Sequence, residues 1–72
     1  MKVSIVIEKD DAGYYAFCPE FPGCQTQGDS IEDALANIHE AIELYAETLS
    51  HQEVRALTSK EIITSSMELA HA

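Results

Sequence analysis

Residues 13–30 read GYYAFCPEFPGCQTQGDS, and this stretch decides the fold because it passes from strand to rigid loop to strand to helix start. Tyr14, Tyr15 and Phe17 favour extended backbone, so Tyr14 to Cys18 reads as a strand. Pro19 and Pro22 have no backbone donor and fix their own dihedrals, so Pro19-Glu20-Phe21-Pro22-Gly23 cannot continue a central strand and becomes an ordered loop. A short third strand, about Cys24 to Gln27, leads to Gly28-Asp29-Ser30, where Ser30 or Asp29 supplies a helix N-cap. Glu32 and Asp33 then suit the positive end of the helix dipole.

Upstream, residues 2–9 alternate, with Val3, Ile5 and Ile7 on one face and Ser4, Val6 and Glu8 on the other, the period of a half-buried strand. Asp10-Asp11-Ala12-Gly13 turns the chain into a hairpin, because the aspartates can bond nearby backbone and Gly13 can take a positive φ.

Downstream, Ile31, Ala34, Leu35, Ile38, Ala41, Ile42, Tyr45 and Leu49 recur at helical spacing. At 3.6 residues per turn they fill an arc of roughly 120°, which predicts an amphipathic helix from Ile31 to about Leu49. Glu32, Asp33, Glu40, Glu43 and Glu47 gather on the opposite side in about 100°, and no Lys or Arg lies between residues 10 and 54. The helix thus carries acidic charge alone, which serves either as a solvated face or as a surface for a cationic partner. Gln52 to Lys60 reads as the helix end and a connection. Ile62, Ile63 and Thr64 favour a closing strand near residues 62–70, the competing assignment being a short helix capped by Ser59.

The predicted order is β-β-β-α-β: one α+β domain over residues 1–72, a small antiparallel sheet with one long helix packed on one face. A chain of 72 residues buries a modest core, so a homo-oligomer, dimer or tetramer, or a partner is expected. The net charge is −9, from 13 acidic against 4 basic residues. That charge would repel a phosphate backbone, so direct nucleic-acid binding is not expected and a small basic protein is the favoured partner. The apolar run Val3 to Ile7 is far short of a signal peptide or a membrane span, which predicts a cytoplasmic protein making no membrane contact.

The segment from Tyr15 to Cys24, followed by Gln27-Gly28-Asp29-Ser30 and Ile31-Glu32-Asp33-Ala34-Leu35-Ala36-Asn37, resembles the HicB family. That family shows a Pro-acidic-apolar-Pro-Gly-Cys loop, a Gly-Asp-Ser/Thr helix start and an acidic, alanine-rich helix, here ending near Glu43-Leu44-Tyr45. The likeness runs from Lys2 to about Leu49. It implies a partial, truncated RNase H-like fold and an antitoxin that binds a small basic HicA-like toxin and neutralises its mRNA cleavage. Many HicB proteins continue into a DNA-binding segment, and with this chain reaching only Ala72 no such extension is expected. The alternatives are a solitary HicB-like homo-oligomeric binding or scaffold protein and a residual metal-dependent nuclease.

A nuclease of the RNase H type needs carboxylates converging on metal ions. Glu8, Asp10, Asp11, Glu20 and Asp29 are the possible donors, although Asp10, Asp11 and Asp29 already suit turns and a cap. Cys18 and Cys24 have neither a second cysteine pair nor an adjacent histidine to complete a zinc site, and His39, His51 and His71 accompany no recognisable nucleophile. The expectation is a non-enzyme with no catalytic residues, no metal and no cofactor. Its partner-binding residues are expected to be Tyr15, Phe17, Pro19, Glu20, Phe21, Pro22, Gly23, Glu40, Glu43 and Glu47. Strand alternation puts Tyr15 and Phe17 on one face of the sheet, either the core face or the contact face.

Overall fold

A computed structural model describes residues 1–70. Three strands, β1 (Val6–Asp10), β2 (Gly13–Phe17) and β3 (Gln25–Gly28), form an antiparallel sheet in the order β1-β2-β3. Helix α1 (Ile31–Glu47) lies on one face, and a second helix, α2 (His51–Leu57), follows it. The α+β arrangement with a small antiparallel sheet and one long helix is therefore observed.

The β1–β2 hairpin closes where Asp10 pairs with Gly13, and the Asp10 carboxylate accepts the amide of Ala12 at 2.8 Å to hold the turn. Asp11 and Ala12 keep negative φ, so the change of hand that the strand twist requires falls on Gly13, at φ 128°. Register then fixes the faces. Ile7 pairs with Ala16 and Ala16 with Thr26, so these three share a face, while Val6, Phe17 and Gln25 share the other.

Ala16 is fully buried, which identifies its face as the one beneath α1. The core comprises Ala16, Cys18, Phe21, Cys24, Ala34 and Ile38, bordered by Val3, Ile5, Ile7, Tyr14, Ala41, Ile42 and Tyr45. The helix sits close to β3, and Gly28 permits this. A Cβ there would lie 2.5 Å from the amide nitrogen of Ala34, too close for any side chain without backbone movement. The Asn37 side-chain amide adds a 2.8 Å bond to the Gln27 carbonyl.

Helix α1 starts as the sequence predicts. Ser30 is extended (φ −140°, ψ 167°), and its hydroxyl accepts the Asp33 amide at 3.0 Å. It ends at Thr48, and α2 begins immediately behind a capping box. The Ser50 hydroxyl accepts the Glu53 amide at 3.1 Å, and the Glu53 carboxylate accepts the Ser50 amide at 2.7 Å.

Two expectations for the last third are corrected. Gln52 to Lys60 is mostly helix and not a connection, with Ser50 as its cap, and the alternative helix after Ser59 does not form. Residues 61–70 form no strand within the chain. Their β-branched residues favour extended backbone, but a strand needs a neighbour to accept its bonds, and here none is paired with them.

Candidate functional site

The loop between β2 and β3 is built inward. The Cys18 amide donates to the Cys24 carbonyl (3.0 Å), the Phe21 amide to the Cys18 carbonyl (3.2 Å) and the Cys24 amide to the Phe21 carbonyl (3.0 Å). Continuing the β2–β3 register past Phe17 and Gln25 sets Cys18 opposite Cys24 across the loop's base. Gly23, at φ 83°, reverses the chain before Cys24. Phe21, only 2% exposed, stacks on Tyr45 of α1 with ring centroids 5.0 Å apart and planes inclined by 16°. This contact staples the loop to the helix with an aromatic pair worth about 0.5–1.5 kcal/mol beyond its buried area.

Glu20 is the one buried charged side chain among the described residues, at 4% exposure. Its carboxylate accepts the Ser4 amide at 2.9 Å, the Ser4 hydroxyl at 2.8 Å and the Cys18 thiol at 3.6 Å. Burial acts to raise the carboxyl's pKa, but the hydrogen bonds from the Ser4 amide and hydroxyl, joined by Glu20's own amide and the Cys18 thiol, together outweigh it and hold the group below its ordinary value. The same carboxylate fastens the N-terminal segment to the loop. Burial raises the pKa of the Cys18 thiol, helped by the neighbouring Glu20 charge and opposed by the Phe21 and Glu20 amides; burial alone raises that of Cys24. Both cysteines are free and buried, as core residues are.

The structure separates the expected partner-binding residues into four groups. Glu20 and Phe21 are inside, bound to Ser4 and Tyr45, so their burial corrects the expectation that they meet a partner directly. Pro22 and Gly23 form the exposed loop tip, with Pro19 half-buried beside them. Glu40, Glu43 and Glu47 are exposed on the outer side of α1, together with Leu44 at 56% exposure, a residue the charge pattern alone does not single out.

Tyr15 and Phe17 lie on the sheet face away from α1, half-buried against each other with centroids 5.7 Å apart, and the Tyr15 hydroxyl bonds Gln25 at 2.6 Å. The open sheet face and the acidic helix side therefore look in opposite directions, and one flat surface cannot cover both.

The carboxylates weighed for metal chemistry are dispersed. Glu20 is committed to Ser4, Asp10 to its turn, and among the described residues no three His, Cys, Asp or Glu side chains gather in a metal-holding arrangement. His39 and His51 are exposed on the helices, and His71 lies outside the described residues. Among those residues no helix is long and apolar enough to cross a membrane.

With this geometry in hand, the model of the HicB-like antitoxin of bacterial toxin-antitoxin systems matches residues 3–71. The chain belongs to this HicB-like antitoxin family. The match includes the tail beyond Leu49, where the sequence resemblance was not visible. A UPF0150 protein of Helicobacter pylori strain J99 is 47% identical over 72 residues, spanning all of both chains. One from Thermoplasma acidophilum is 46% identical over 66 residues, 89% of this chain and 96% of the relative. One from Synechocystis sp. is 54% identical over 54 residues, 71% of this chain and 68% of the relative. No solved structure gives a significant match. An antitoxin-type role is the one this HicB-like membership carries.

Proposed function

We propose that this HicB-like chain binds a small basic HicA-like toxin in the cytoplasm and neutralises it by masking its RNA-cleaving surface. It acts as a homo-oligomer and as a binding protein, without catalysis, metal or cofactor. Family membership over residues 3–71 carries the antitoxin reading. The charge distribution supports the choice of partner: a chain of net charge −9 displays Glu40, Glu43 and Glu47 together on one exposed helix side. Leu44, exposed at the edge of this acidic strip, adds an apolar contact beside the charge, the composition of a surface that both steers and holds a cationic protein. The exposed Pro22-Gly23 tip would meet the same partner from the end of the sheet.

The test is co-purification of this chain with the small basic protein encoded beside it, at low and raised salt. Steered association falls as ionic strength rises, and reversing Glu40, Glu43 and Glu47 to lysine should weaken the complex at least about tenfold, the equivalent of about 1.4 kcal/mol. Failure to bind any small basic neighbour at low salt would reject the toxin reading.

A further inference from the structure

The last described residues are the least expected part of the molecule. Ile63, Met67 and Leu69 are 78%, 82% and 75% exposed in a segment with no regular structure, although three large apolar side chains at alternating positions favour burial on one strand face. The Cα radius of gyration, 14.3 Å, exceeds the about 11 Å of a compact chain of this length, and the molecule extends over 49 Å. The tail therefore stands off its own domain. Meanwhile β1 is an edge strand, and a hairpin ladder uses only alternate residues, so half of its amides and carbonyls face away from β2 without a strand partner.

The two segments are complementary in detail. Lys2 and Lys9 are seven residues apart, as are Glu61 and Glu68. Laid antiparallel with Lys2 opposite Glu68 and Lys9 opposite Glu61, the strands also bring Val3 opposite Met67 and Ile7 opposite Ile63. Those pairs fall on the face where Val3 and Ile7 already border the core without being fully covered. The other face then pairs Ser4 with Ser66 and Val6 with Thr64, small or β-branched on both sides, and sets Glu8 opposite Ile62 as its one mismatched pair. One register satisfies charge and apolar face together, and a slip by one residue destroys both.

We propose that residues 61–70 of one copy pair antiparallel with residues 2–9 of a second copy, along the irregular segment that leads into β1 and the outer edge of β1 itself, and reciprocally, closing a twofold dimer. The occupant is a second copy because the tail's exposed side chains show that it does not cover its own sheet, and because reciprocal exchange leaves no unsatisfied arm to propagate. The inference rests on the self-association proposed above and names its interface. It is independent of whether a toxin binds.

Light scattering of the full chain should give twice the 7.9 kDa chain mass, and Ile63→Asp with Met67→Asp should give a monomer whose helical circular dichroism is retained. Lys9→Glu should raise the dimer Kd by about tenfold, through two symmetric pairs turned repulsive, and Lys9→Glu combined with Glu61→Lys should restore it. Mixing the separate Val6→Cys and Thr64→Cys chains under mild oxidation should yield the mixed disulfide. A monomeric parent chain would overturn both this inference and self-association. A dimer indifferent to the tail substitutions, or no mixed disulfide, would overturn the tail exchange alone.

Discussion

Residues 18–24 and 61–70 both lack regular structure, and they differ in almost every other respect. Residues 18–24 bury Cys18, Glu20, Phe21 and Cys24, close three backbone hydrogen bonds among themselves, and place a charged carboxylate where Ser4 can satisfy it. Residues 61–70 are exposed apart from a half-buried Ile62, and the exposed side chains include Ile63, Met67 and Leu69. Irregular backbone is thus fixed in the first case because its polar groups have partners inside the chain. In the second it waits for a neighbour that can supply them. The first segment shapes the domain, and the second is free to serve association.

Substitutions can break this contrast, and they rank by how much each segment contributes to the fold. Phe21→Ala should cost the most, about 3–5 kcal/mol, because it empties the buried seat against Tyr45. In a small domain, denaturant titration would show most of the stability gone, and a loss under about 1 kcal/mol would mean the loop is not held by its aromatic anchor. Gly28→Ala comes next, at roughly 1–3 kcal/mol, since the added Cβ would lie 2.5 Å from the Ala34 nitrogen and the helix must lift off β3. A thermal midpoint equal to that of the parent would show that the close approach is not required.

Glu20→Gln should cost about 1–3 kcal/mol at neutral pH by setting a side-chain amide against the Ser4 donors. It should also change the acid limb. The folded-state pKa of Glu20 is lowered from 4.5, so the contribution of its carboxylate is fully present above that value and is lost as pH falls through the lower folded value. The parent should therefore lose stability on acidification below about pH 4.5 more steeply than Glu20→Gln; parallel acid limbs for the two proteins would remove Glu20 from the account. At the small end, Ile63→Ser should leave the unfolding of the dilute, dissociated chain within about 0.5 kcal/mol of the parent. A larger loss in the dilute chain would show that the tail is part of the monomer's core.

How much of this was legible in the sequence follows from the range of the interactions involved. The hairpin, the proline loop, the Ser30 cap and the apolar arc of α1 each depend on residues a few positions apart, and each is observed. The capping box that starts α2 is equally local, Ser50 and Glu53 being three apart, but the short seven-residue helix behind it carries too few apolar positions to show a helical period. The roles of Glu20 and Phe21 were not readable in this way. A charged and an aromatic residue in a loop suggest a contact surface, and only the approach of Ser4, sixteen residues away, and of Tyr45 on the helix turns them inward.

The sequence by itself determined the α+β character, the order of the first four elements, the one-signed charge of α1 and, through the Pro19 to Cys24 motif, the family resemblance, because these rest on local backbone preference, periodicity and composition. The tertiary structure decided which sheet face Tyr15 and Phe17 occupy, which loop residues are interior and that the closing strand is absent from the chain's own sheet. Those outcomes depend on which distant groups come within hydrogen-bonding and packing distance, and that is settled only when the helix meets the sheet.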